Sequence, residues 1–198
     1  MTSSPRLRPL PVAEWSDDAA NALREAFPEG VIDRIRIAGA APNVLATMLH
    51  HPRLAAPFTT YGNVLLREPA VGHRNRELML LRVAWRTGAR YEWVHHVRLA
   101  PQYGLTAEDV DAIIDGTTCP RWTGPECDLV AATDEMLDFY RISPETWQRL
   151  SGSFTEEQLV EIPFIVGTYT CLAMAFNSWD LQVEDGVGDS DVPLPPRD

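Results

Sequence analysis

The chain has 198 residues, a length that one hydrophobic core can serve, and 45% of them are hydrophobic. Its formal net charge of -11 opposes binding to nucleic acid or to an anionic membrane, since both attractions need cations to neutralise phosphate. All 17 basic residues are arginines, and the absence of lysine excludes Schiff-base chemistry and a Walker A loop.

In chain order, helical punctuation recurs from end to end and hairpin signals are scarce, so the fold is predicted to be all-α. The first eleven residues carry Arg6 and Arg8 but no continuous apolar run of an export signal, which points to a cytoplasmic location. Ser16 caps a helix reaching about residue 27, and Pro42 fits the first turn of another that ends near His50, His51 and Pro52. A third helix is expected over residues 53–66. Glu68, Pro69 and Gly72 then make a loop, and residues 74–86 form a helix ended by Gly88. The next helix is placed at residues 91–103, with Pro101 awkward near its end. Gly104 leads into Thr106, Ala107, Glu108 and Asp109, a capping signature for a helix through residue 114. Residues 117–125 read as a loop, residues 126–140 as a helix, and Ser143, Pro144 and Glu145 open a short one. Thr155 and Gln158 form a capping box for a long helix towards Trp179.

Residues 162–179 carry no charge, a length that approaches a membrane span. Pro163, Gly167, Thr168, Thr170, Asn177 and Ser178 dilute the apolarity, so a helix buried among helices is the expectation and no membrane partner is assigned. One helical domain is predicted over residues 1–183, followed by an acidic Pro/Gly tail at 184–198 that is mobile or draped on a partner.

Two carboxylates and an imidazole fall on consecutive apolar helices, at Glu77, Glu92 and His96. Glu92 and His96 are one turn apart and share a face. The apolar side of their helix is set by Trp93, Val97 and Ala100; His96 lies at its edge, while His95 and Arg98 point away. A buried imidazole beside a carboxylate suits general acid and base work near neutral pH. The structural alternatives are a first-turn carboxylate at Glu77 favoured by the helix dipole, and a surface pair of Glu92 with His96. Trp85, Trp93 and Trp147 read first as core, with Trp93 also a candidate substrate contact. Glu92-x-x-His95 has the spacing of di-iron bundles, but only one copy is present, and His50, His51 and His73 are scattered, so no metal is expected. Cys119, Cys127 and Cys171 lack CxxC spacing and read as structural thiols in a reducing compartment.

The run Arg76-Glu77-Leu78, an apolar helix, a Gly turn, then Tyr91-Glu92-Trp93-x-x-His96-x-x-x-Ala100 and Gly104 resembles the carboxymuconolactone decarboxylase / alkylhydroperoxidase D family. A weaker likeness at residues 157–161 and at Gly167, Thr168 and Tyr169 extends it over about residues 40–183. The resemblance implies an alkylhydroperoxidase D-like helical bundle assembled as a homo-oligomer, a trimer or hexamer with sites near subunit contacts. In the peroxidase branch a Glu precedes a CxxC pair followed by a His. Here Glu77 matches the Glu and His96 the His, whereas Ala89 and Glu92 stand at the two cysteines. With both sulfurs gone, disulfide peroxidase chemistry is not expected at this place. The pattern is similar to the decarboxylase branch, which needs no metal or organic cofactor and serves aromatic compound catabolism. That implies a cofactor-independent lyase or isomerase moving a proton through His96 on a small carboxylated lactone or carbonyl compound, with Glu77 and Glu92 orienting or relaying. An anionic substrate calls for an arginine clamp; Arg74, Arg76 and Arg82 are nearest in sequence, and Arg76 and Arg74 are the candidates. The alternatives are a peroxide reductase using a non-motif cysteine and a non-catalytic ligand-binding or scaffold homologue.

Overall fold

The computed structural model describes residues 4–187 and 193–196. Among the described residues there are ten α-helices, three short 3-10 turns and no strand, so the chain is all-α as its punctuation predicts. It divides into two compact units: the described residues up to Arg67 with Ser178–Val187, and Glu68–Asn177 with the described residues beyond 192.

The first unit contains α1 (Asp17–Arg24), α2 (Val31–Ala38), α3 (Asn43–Met48) and α4 (Pro52–Arg67). The Ser16 hydroxyl accepts from the Ala19 N–H at 3.1 Å, satisfying one of the donors a helix start leaves open. α1 stops at Arg24, short of the predicted end, and α2 follows where no helix was expected. Gly30 (φ 78°) opens it and Gly39 (φ 68°) closes it, both in the left-handed region that glycine enters at little cost. The core is built from Trp15, Ala20, Leu23, Ile32, Leu45 and Leu49. Full burial of each large apolar side chain is worth roughly 1.5–3 kcal/mol. The start of the tail is tied down in this unit, because Glu184 Oε1 accepts from the Asn43 N–H at 2.7 Å and the Gln182 carbonyl accepts from Asn43 Nδ2 at 2.9 Å. Tail residues 188–192 and 197–198 lie outside the described residues.

The second unit contains α5 (His73–Arg86), α6 (Arg90–Leu99), α7 (Ala107–Asp115), α8 (Gly124–Phe139), α9 (Pro144–Ser151) and all but the last turn of α10 (Glu156–Trp179). α5 is its axis: it packs on α6, α7 and α8 and buries nine consecutive residues, Arg76 to Ala84. A helix buried on every side is apolar all round except where it carries function. Gly88 (φ 66°) makes the reversal into α6. The predicted helix over 91–103 ends at Leu99. Pro101 has no N–H to continue the α ladder, and residues 100–103 tighten into a 3-10 turn closed by Gly104 (φ 83°).

Thr106 and Asp109 form the expected capping box at α7, and Thr123 with Glu126 forms another at α8. Arg82 ties these helices together: Nε and Nη2 donate to Asp134 at 2.8 and 2.9 Å, and Nη1 donates to the carbonyls of Ile113 and Ile114 at 2.7 and 3.0 Å. Gly116 is the required neighbour, since it has φ 70° and a Cβ there would fall 2.5 Å from Arg82 Nη2. α10 opens on the predicted box, with the Thr155 N–H donating to Gln158 at 2.9 Å. It is long and apolar enough to cross a membrane by length and composition alone. It nevertheless buries Ile162, Ile165, Val166, Tyr169, Ala173 and Phe176, the behaviour of a core helix.

Candidate functional site

The α5–Gly88–α6 reversal sets two helices side by side and fixes the register of their polar residues. Glu77 is the fifth residue of α5, beyond the first turn, so it is not the dipole cap that its sequence position allowed. Its side chain is fully buried and its Oε1 lies 2.7 Å from His96 Nδ1, on α6. A carboxylate only accepts, so Nδ1 carries the hydrogen of this bond and Nε2 keeps its lone pair for other work. His96 retains 15% side-chain exposure. Of the two carboxylates expected near it, Glu92 and Glu77, His96 uses Glu77.

Glu92 is 3% exposed, which rules out a surface pair with His96. Burial pushes its carboxyl well above the ordinary carboxylate range, so it is held as the neutral acid. Neither of its oxygens has a hydrogen-bond partner among the described residues. Arg76, also fully buried, places Nη2 3.2 Å from Glu77 Oε2, a charge contact without hydrogen-bond alignment, and its Cζ sits 4.5 Å from the centroid of the Tyr103 ring. Its guanidinium acts on the Tyr169 hydroxyl but makes no well-aligned hydrogen bond among the described residues, in a place where an unmade hydrogen bond is costly.

Sequence reasoning assigned no role to Tyr169 of α10. It is 7% exposed, and its ring stands nearly perpendicular to the His96 ring at 6.0 Å between centroids. Burial raises its phenol pKa, Arg76 opposes the rise, and the negative charge of Glu77 adds to it, so the hydroxyl stays neutral. The groups against His96 thus come from α5, through Glu77, and from α10, through Tyr169. The sequence signal for Tyr169 was its place in the Gly167-Thr168-Tyr169 likeness, which carried no role for the phenol.

The other candidates sit elsewhere. Trp93 is fully buried and packs on Trp85 with ring centroids 5.2 Å apart, a core position. Arg74 is engaged in ion pairs with Asp109 at 3.0 Å and Glu126 at 2.8 Å, which fasten the start of α5 to α7 and α8. Burial works against ionisation of Asp109, but hydrogen bonds from Arg74, Arg121 and the Thr106 N–H outweigh it and hold that carboxyl far below its ordinary range. His95, projected outward by the helical wheel, is half-buried with its ring 4.4 Å from Tyr91 one turn back. Cys119 and Cys127 are free and half-buried, Cys171 is free and exposed. Among the described residues no group of three or more His, Cys, Asp or Glu is arranged to hold a metal ion.

A model of the Carboxymuconolactone decarboxylase family matches residues 52–135, the stretch that holds Arg76, Glu77, Glu92 and His96. In fold, the chain is similar to an uncharacterised peroxidase-related protein with an alkylhydroperoxidase AhpD core from Ralstonia eutropha JMP134 (TM-score 0.71, 16% identity, 93% of this chain and 96% of that one). It is similar also to a putative antioxidant defence protein AhpD from Agrobacterium tumefaciens (TM-score 0.64, 17% identity, 69% and 94%). A third likeness is to a variant of the debrominase Bmp8 in complex with 2,3,4-tribromopyrrole (TM-score 0.65, 18% identity, 94% and 96%). At such identities the structures speak for the fold alone. Among curated proteins, none is similar to this sequence. The matched segment and the shared helical architecture together support a place in the carboxymuconolactone decarboxylase/AhpD-like superfamily.

Proposed function

We propose that this chain is a cofactor-independent lyase or isomerase in which His96 moves a proton on a small carboxylated lactone or carbonyl compound. The observation that carries the proposal is the 2.7 Å bond from His96 Nδ1 to a fully buried Glu77, which leaves Nε2 as the working nitrogen. Glu77 orients the ring and stabilises the imidazolium formed when Nε2 takes a proton, the role a buried carboxylate plays behind any catalytic histidine. Arg76 and the neutral Glu92 supply donors at the oxygen where negative charge develops, and in a site without bulk water such donors count for more than they do in solution.

Decarboxylation of a β-carbonyl acid uses these parts as follows. The bond to the departing carboxylate breaks, its electron pair passes into the carbonyl to give an enolate held by Arg76 and Glu92, and carbon dioxide leaves. His96 Nε2, having taken the proton of the substrate's carboxyl group before that bond broke, then returns it to carbon. Isomerisation uses the same groups, with His96 first removing a proton next to the carbonyl. Peroxide reduction, the rival chemistry, needs an attacking thiolate and a resolving thiol, and Ala89 and Glu92 stand where this family pattern would carry them.

Purified protein is assayed for carbon dioxide release from 4-carboxymuconolactone. His96→Gln is expected to lower kcat by about 100- to 10,000-fold, the usual size of a general acid-base contribution, with an unchanged helical circular dichroism spectrum. Turnover equal to that of the parent removes His96 from the mechanism.

A further inference from the structure

The bond to Glu77 fixes one atom of the His96 ring and leaves the plane of the ring undetermined. The terminal torsion of histidine is broad and roughly two-fold, so rotation about it can exchange Nδ1 with a ring carbon and turn Nε2 away. A second contact on the face or edge of the ring is needed to hold one orientation. Tyr169 makes that contact, with ring centroids 6.0 Å apart and planes at 77°, in the range favoured for edge-to-face pairs. It is itself immobilised, being 7% exposed on the buried face of α10 that also carries Ile165, Val166 and Ala173. It lies beyond the segment matched by the family model, which ends at residue 135.

We propose that Tyr169 is a positioning residue for the Glu77–His96 pair, its ring setting the plane of the imidazole so that Nδ1 stays on Glu77 and Nε2 stays on the substrate side. This rests on the lyase or isomerase reading for its purpose, but its geometry can be measured without any turnover. α10 therefore supplies a wall of the site, and the reactive imidazole is held between two elements, α5 through a carboxylate and α10 through a ring.

The test uses the full chain labelled with nitrogen-15 in its histidines, followed by long-range proton–nitrogen NMR at a pH high enough that the His96 signals have stopped moving. His96→Gln identifies those signals by their loss. The parent is expected to show two well-separated ring nitrogen shifts, those of a single Nδ1–H tautomer. In Tyr169→Leu, which keeps apolar bulk but removes the flat ring, and in Tyr169→Ala, the two shifts move towards each other. Tyr169→Phe restores the parent pattern. On 4-carboxymuconolactone, Tyr169→Leu loses about 100-fold in kcat with little change in KM, the scale of a group misplaced by an ångström, and Tyr169→Phe recovers most of it. A folded Tyr169→Leu with the parent shifts overturns the role of Tyr169 and leaves the Glu77–His96 pair standing. A parent without the Nδ1–H tautomer overturns both.

Discussion

Replacing Glu77 with Gln keeps the shape of the side chain and removes its charge at a place where the charge has two consequences. Glu77 and Arg76 are both fully buried with 3.2 Å between them, and the same carboxylate holds His96 Nδ1 at 2.7 Å. Removing one member of a buried ion pair leaves the other uncompensated in a medium that solvates it poorly, which costs about 3–5 kcal/mol. For a chain of this size each kcal/mol shifts the melting temperature by about 2–4 °C, so Glu77→Gln is expected to melt roughly 6–20 °C below the parent. Thermal and urea unfolding followed by circular dichroism measure the loss. The double variant Arg76→Met with Glu77→Gln supplies the control: with both charges gone the penalty largely disappears, and the double variant is more stable than the sum of the singles by about 2 kcal/mol or more. A Glu77→Gln loss below about 1 kcal/mol, or strict additivity in the cycle, refutes the claim that Arg76 depends on Glu77 for its burial.

Glu92 and Asp109 give predictions of opposite sign. Burial raises the Glu92 carboxyl, so the folded state binds its proton more tightly than the unfolded chain does, and stability falls as pH rises from the ordinary value of 4.5 towards the folded one. The fall is about 1.4 kcal/mol per pH unit within that window, and Glu92→Gln, which has nothing to ionise, should gain on the parent as pH rises; a pH-independent difference in urea midpoints argues against a neutral Glu92. The Asp109 carboxyl is depressed, so its contribution is present above the ordinary value of 3.8 and lost as pH falls towards the folded one. Asp109→Asn should cost about 1.5–3 kcal/mol at neutral pH, less than a wholly buried pair because Arg74 and Arg121 are partly solvated, and the gap should close in acid. Equal stability of Asp109→Asn and parent at neutral pH would show that the Arg74 and Arg121 contacts contribute nothing.

How far these features were legible in the sequence depends on the distance over which they are determined. Capping boxes at Thr106 and Thr155 and the cap at Ser16 are written in four adjacent residues and appear in the structure as predicted. α2 escaped because eight residues between two glycines give too little periodicity to rise above a loop. Pro101 carried the information that α6 must end, but a helix and a 3-10 turn in succession share one apolar pattern. The set Glu77, Glu92 and His96 could be named from residue type and family likeness. Helical spacing alone offers His96 only neighbours on its own helix, such as Glu92; the likeness offered Glu77 beside it, and the crossing of α5 and α6 delivers that bond. Arg74 and Arg76 looked equivalent in sequence; one is bound to Asp109 and Glu126, the other sealed beside Glu77. Tyr169 enters from α10; the Gly167-Thr168-Tyr169 likeness marked it without giving its contact with His96.

The nine consecutive buried residues of α5 have a bearing on how this site can change over time. Arg76 and Glu77 belong to the very helix around which the unit condenses, so an alteration to either is felt in folding before it is felt in chemistry. Positions 89 and 92, at the start of α6, and position 169 on α10 are attached to that axis from outside. New reactivity is therefore cheapest to explore on the attached helices, with α5 kept as the inherited frame. Ala89 and the buried Glu92, which stand where the resemblance implies a sulfur pair, lie on such an attached helix, so side chains can differ there without touching the axis.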